Sequence, residues 1–245
     1  MDAHARIAGT DTDLGALVAR IDSLERRIAA LEGAAAAPSR RSSGGSSGSG
    51  AALDLSAARW TTTYEVAQLE PADSWIELHE PSARPHLQRM LRAVVEVEGP
   101  VTERLALDRI RRAWGLKRAG GRVQEAFEQA VRQLVARGIV ERDSDALCTP
   151  GGSLERVRVP GGDEESKRGA DDVPLIELAR AIREAAGATG GAAVDDLTMQ
   201  VAKLFGWTRR GGAIQERLDA ALQLAVTRGD VEVASGIVRV AGAAG

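Results

Sequence analysis

Apolar side chains recur at spacings of three and four near the start of the chain. Leu14, Ile21 and Ile28 fall at position a of three heptads, and Leu17, Leu24 and Leu31 fall at position d. Mostly β-branched residues at a with Leu at d suit a parallel two-stranded coil. Arg20 and Arg27 sit at g and Glu25 and Glu32 at the next e positions, so each Arg of one strand meets a Glu of the other. Asp11, Thr12 and Asp13 offer an N-cap and suit the helix dipole, and Gly33 ends the run. A coiled-coil helix is therefore expected at 12–32, after a disordered tail at 1–11. A single amphipathic helix docked on its own chain is the competing reading.

The period then disappears. Residues 33–58 include the run SSGGSSGSG, which reads as a flexible linker. Between 59 and 81, Trp60, Tyr64, Val66, Leu69, Trp75, Ile76 and Leu78 are interrupted by Pro71 and Pro81. An irregular stretch packed on the next module is expected there.

The remainder repeats itself. Shifted by 91 residues, WGLKRAGGRVQEAFEQAVRQLVARGIVE at 114–141 overlies FGWTRRGGAIQERLDAALQLAVTRGDVE at 205–232, with 12 identities in 28 ungapped positions. Each copy reads the same way. The first has a helix near 84–96, a break at Gly99-Pro100, a short strand at Val101, and a second helix near 103–114 capped by Thr102. A Gly115–Gly121 turn leads into a third helix from about 121 to 137, with Val123, Phe127, Ala130, Val131 and Leu134 on one face and Gly138 as its C-terminal stop. A hairpin closes the copy through Asp143–Asp145. In the second copy the helices fall near 174–186, 194–205 and 212–228, with a hairpin joining Val231–Val233 to Ile237–Val240.

This order predicts a mainly α chain with small β-hairpins: an N-terminal coiled-coil helix and two tandem winged-helix-like, helix-turn-helix modules. The first module, with its N-terminal extension, spans 59–158. An acidic linker spans 159–171, and the second module spans 172–243.

Charge sharpens the picture. The chain carries 32 basic and 35 acidic residues, a net charge of −3. Residues 82–142 hold 13 basic against 7 acidic side chains, or +6, whereas 172–245 hold 8 against 9, or −1. Such asymmetry points the first module toward an anionic partner. One cysteine, Cys148, permits no internal disulfide and suits a reducing cytosol. The N-terminus shows no signal-peptide pattern, and no stretch is apolar for long enough to span a bilayer, so no membrane partner is expected.

The chemistry of an enzyme is not evident. No Gly-rich loop ends in Lys-Ser or Lys-Thr to hold a nucleotide. His79, Glu80 and His86 lie near one another, but Pro81 and Pro85 prevent the helical spacing a metalloprotease requires. No catalytic residue, metal or cofactor is expected.

The stretch 78–131 resembles a family. Glu98-Gly99-Pro100-Val101, Trp114-Gly115 with Lys117-Arg118, and Gly120 with Arg122-Val123 are similar to the C-terminal domain of unknown function in large bacterial superfamily 1 helicases, where it comes after a restriction-endonuclease-like domain. Leu204-Phe205-Gly206-Trp207, then Arg209 and Gly212 through Leu218, resemble the segment that commonly comes next in those helicases. The resemblance covers about 64–240. It lacks the helicase motor and the nuclease-like domain, so it implies a nucleic-acid setting and a helicase or nuclease as a further candidate partner, not helicase activity.

Two functions stand as expectations. The first is nucleic-acid binding with low sequence specificity through residues 104–122. Lys117, Arg118 and Arg122 would be the main phosphate contacts, Arg111 and Arg112 would stand behind them, and Arg209 and Arg210 would be weaker counterparts in the second copy. The second is a protein-interaction adaptor that self-associates through Leu14, Leu17, Ile21, Leu24, Ile28 and Leu31. It accounts better for the acidic total. Whether the nucleic acid is DNA or RNA stays open.

Overall fold

The computed structural model describes residues 58–72, 76–208 and 211–242. The heptad positions Leu14 to Leu31, with the coiled coil they imply, and Arg209 and Arg210 lie outside these residues. The described chain is mainly helical with small β-sheets.

The first copy contains α1 (Arg84–Glu98), β2 (Val101–Thr102), α2 (Glu103–Ala113), α3 (Gly121–Ala136), β3 (Glu141–Asp143) and β4 (Ala146–Cys148). The second contains α4 (Leu175–Thr189), β6 (Ala192–Ala193), α5 (Val194–Leu204), α6 (Gly212–Thr227), β7 (Val231–Ala234) and β8 (Ile237–Val240). Every helix of the second copy begins and ends 91 residues after its counterpart. The sheets repeat too, as antiparallel orders β2-β4-β3 and β6-β8-β7.

Local chemistry explains the agreement. The Oγ1 of Thr102 accepts from the N–H of Leu105 at 3.2 Å and starts α2, a cap worth about 1 kcal/mol. Its counterpart Ala193 has no side-chain oxygen, and α5 instead carries Asp195 and Asp196 in its first turn. Gly115 and Gly206 adopt φ of +70° and +77° where α2 and α5 turn back toward the next helix. That conformation costs a side-chain-bearing residue and not glycine. Leu87, Leu91, Val94 and Val95 bury the inner face of α1 against Ile110, Phe127, Val131 and Leu134. Leu178, Ile182, Ala185, Leu197, Val201, Leu218 and Ala221 fill the matching core of the second copy. Alanine replaces bulkier residues there, and few aromatics are needed.

Two segments depart from the sequence reading. β1 (Thr61–Thr63), in the stretch expected to be irregular, forms a parallel pair with β5 (Val157–Val159), where no strand was expected, with Thr61 opposite Val157. Tyr64, Ala67 and Leu78 pack into the first core, as expected of the N-terminal extension, but Trp60 and Val157 pack into the second. The stretch 159–171, expected as an acidic linker, buries Ser166 and Arg168. Both departures have one cause, a charged cluster where the two copies meet.

In this cluster Glu98 and Glu177 are fully buried. Glu98 accepts from the Tyr64 hydroxyl, from the Ala67 N–H at 3.0 Å and from Arg109 Nε at 3.1 Å. Glu177 accepts from Arg158 Nη2 at 2.7 Å and from Arg168 Nη1 at 2.7 Å. Arg158 also donates to the carbonyls of Glu98 and Pro100, at 2.6 and 2.7 Å, and so ties the end of α1 to the start of α4. Burial alone would raise the Glu177 carboxyl, but Arg168 and Arg158 outweigh it and bring it down to about 2. Burial and the neighbouring Glu98 push the Tyr64 phenol well above its ordinary range.

Candidate nucleic-acid interface

The α2–α3 turn is held in place by the protein's own bonds. Trp114 ends α2 and donates its indole N–H to the carbonyl of Ile76 at 2.8 Å. Leu116 N–H then reaches back to the Arg111 carbonyl at 3.0 Å. Arg111 holds the turn from the other side, donating to the carbonyls of Leu116 and Lys117 at 2.6 and 2.8 Å while its fork binds Asp108. Gly120 then opens α3 with no side-chain cap, and the first i to i−4 bond in the helix runs from Gln124 N–H to Gly120 O at 3.0 Å. The N–H groups before it point outward at the positive end of the helix dipole.

The structure sorts the expected contacts into two groups. The side chains of Lys117, Arg118 and Arg122 are exposed around this helix start and make no hydrogen bond or ion pair among the described residues. The basic residues of α2 are all engaged within the protein. Arg104 pairs with Asp172 at 2.6 Å, and buried Arg109 pairs with Glu98. Arg111 is the strut of the turn, and Arg112 pairs with Asp108 at 2.7 Å, although its side chain is 61% exposed. Arg111 is thereby committed to the fold, and Arg112 to a weak surface pair.

The first hairpin is not free to reach a ligand. Asp145 in its turn accepts from the Leu175 N–H at 2.9 Å, capping α4, and also binds Arg217 of α6. Asp143 accepts from Arg228 at 2.6 Å. The hairpin of the first copy is thus seated on the second. At positions corresponding to Lys117 and Arg122, the second copy has Thr208 and Ala213.

Sequence reasoning named Tyr64 and Glu98 for other reasons and missed the buried cluster that they form with Arg109, Arg158, Arg168 and Glu177. A signal was present: Glu98 continues the apolar stripe of Leu87, Leu91, Val94 and Val95, and Glu177 lies on the stripe of Ala181 and Ala185. A carboxylate on a buried stripe requires buried cations.

Burial pushes the Cys148 thiol up to about 11, with Asp143 adding to the rise. A thiol so protonated is a poor nucleophile. Among the described residues, no three His, Cys, Asp or Glu side chains cluster to hold a metal ion. No helix among them is long and apolar enough to cross a membrane.

A family model described as a protein of unknown function (DUF3320) matches residues 77–125. That span holds α1, α2, the turn and the first residues of α3, including Lys117, Arg118 and Arg122. This part of the chain is similar to that family of unknown-function domains. No curated protein and no solved structure matches the chain.

Proposed function

We propose that the protein is a non-catalytic nucleic-acid-binding accessory protein that grips backbone phosphates at the α2–α3 turn of its first copy. The observation that carries this reading is the sorting of the arginines. Arg109 and Arg111 of α2 are spent inside the fold and Arg104 and Arg112 are held in surface ion pairs, while Lys117, Arg118 and Arg122 stand exposed and unpaired at an uncapped helix start. Helix, strand, helix, helix and hairpin, twice over, support reading each copy as a winged helix. The turn before the third helix is where such a module meets phosphate. The likeness at 78–131 to the ends of bacterial helicases supports a setting beside a helicase or nuclease. The heptad at 12–32 supports a self-associated chain.

The contacts are with phosphate more than with bases. Outward-facing Glu125 and Glu128 offset Arg122 and Arg132 along α3, so this helix carries no net charge into a groove. With roughly three duplex phosphates neutralised, log affinity falls against log salt with a slope of about −2.7. Fluorescence anisotropy with a labelled duplex at two salt concentrations tests this. Lys117→Ala, Arg118→Ala and Arg122→Ala together should abolish most of the affinity and flatten the slope across all sequences. A triple variant that binds as the original chain does would overturn the reading.

A second reading has its own observation. The hairpin of the first copy, seated on the second, supports reading the module as a protein dock in an adaptor that self-associates through its heptad.

A further inference from the structure

The 91-residue offset preserves more than apolar positions. Arg89, Arg92 and Arg137 of the first copy correspond to Arg180, Arg183 and Arg228 of the second. In the second copy these three arginines line one cavity of about 380 Å³. The first copy supplies the opposite wall, including Glu141, Asp143 and Cys148, and Asp143 binds Arg228 at 2.6 Å. A carboxylate-bearing turn of protein therefore rests on the arginine face of the second copy.

The first copy presents the same face to the outside. The side chains of Arg89 and Arg137 are exposed and make no hydrogen bond or ion pair among the described residues. Arg92 reaches only Glu96, at 2.6 Å along its own helix. Beside them lies a cavity of about 370 Å³ lined by Arg92, Val95, Ile139, Val140 and Thr149, among others. Arg92 and Ile139 there correspond to Arg183 and Asp230 in the cavity of the second copy.

We propose that this face of the first copy, marked by Arg89, Arg92 and Arg137, docks an acidic segment of a partner protein. The segment is an aspartate-bearing turn, seated as the Asp143–Asp145 turn is seated on the second copy. Two observations favour protein over nucleic acid. The intramolecular occupant of the matching face is a carboxylate turn, and Val95, Ile139 and Val140 give an apolar floor. The face also lies at the far end of α3 from Lys117 and Arg122, about 24 Å away along a 16-residue helix. A second copy of the chain does not offer such a turn from either of its hairpins. Its own Asp143 and Asp145 are engaged, and its other hairpin turns through Ala234-Ser235-Gly236 without a carboxylate. Arg217 has Ala126 as its counterpart, so the seat takes one anchoring carboxylate, at Arg137.

The probe is a labelled cyclic peptide carrying residues 141–146, read by anisotropy against the full chain. Saturable binding that weakens at least tenfold in an Arg89→Ala/Arg137→Ala variant of unchanged melting temperature supports the proposal. So does loss of binding when both aspartates of the peptide become asparagine. Three results would overturn it: no binding at millimolar chain, equal binding of the asparagine peptide, or loss in Arg228→Ala and not in the double variant. The last would mean that the peptide merely displaces the chain's own hairpin. If the double variant weakens a DNA oligonucleotide and leaves the peptide unaffected, the face belongs to nucleic acid and the proposal fails.

Discussion

The guanidinium of Arg168 lies 3.9 Å from the centre of the Tyr64 ring while its Nη1 holds Glu177 at 2.7 Å. Tyr64 precedes the first copy and Glu177 opens the second, so one side chain joins both to the connecting chain between them. Cation–π attraction and a charge-assisted hydrogen bond act together here at a site shielded from water. Glu98 completes the group by binding the Tyr64 hydroxyl from the first copy.

Glu177→Gln should destabilise the protein by about 3–5 kcal/mol, because two buried guanidiniums lose the charge that offsets their desolvation. Urea unfolding followed by circular dichroism measures the loss. A change below about 1 kcal/mol would show that water reaches the cluster.

The same carboxylate sets an acid limit. Its ordinary value of 4.5 falls to about 2 in the folded chain, so between these values the unfolded chain binds a proton that the folded one does not. The stabilisation is complete above 4.5 and disappears as pH falls toward 2, about 3 kcal/mol in all. Urea midpoints at pH 6 and pH 3 should converge between the original chain and Glu177→Gln as pH drops.

Asp145 and Arg217 should prove coupled. A double-mutant cycle with Asp145→Ala and Arg217→Ala should give an interaction energy of roughly 1–3 kcal/mol, since the pair is partly buried and Asp145 also caps α4. Additive effects would mean that the hairpin sits on the second copy without this bond.

Arg111 and Arg118 flank the same turn with opposite fates. Arg111→Ala should cost about 2 kcal/mol of stability by leaving the Leu116 and Lys117 carbonyls without this donor and Asp108 with Arg112 alone. Arg118→Ala should leave stability within about 0.5 kcal/mol and weaken only nucleic-acid binding. Thermal unfolding of the two variants separates these roles.

Much of the fold was legible because local signals carried it. Thr102, Gly115, Gly138 and the apolar stripe of α3 each fix their element from nearby residues, and the duplication let each copy check the other. The junction was not legible, because it depends on partners far apart in sequence. Glu177 is explained by Arg158 and Arg168, and Glu98 by Tyr64, Ala67 and Arg109. Residues 159–171 looked like solvated acidic chain, yet Arg168 is its most consequential member. The candidate interface was half legible. Composition marked the basic region but could not tell Lys117, which faces out, from Arg111, which is spent on the turn. The repetition of Arg89, Arg92 and Arg137 was present in the sequence, but it has a chemical meaning only beside the bond between Arg228 and Asp143.

The pairing of β1 with β5 bears on how the chain is made. Thr61 leaves the ribosome 96 residues before Val157, its partner in the strand register. At synthesis rates of about 5–20 residues per second, β1 waits on the order of 5–20 s with its backbone unpaired. The first copy has all its own helices and its hairpin by then and can fold around its core. β1 can pair only once residues 157–159 emerge, and Trp60 finds its core only as the second copy follows, so the stretch is a late clasp that the first copy cannot close by itself.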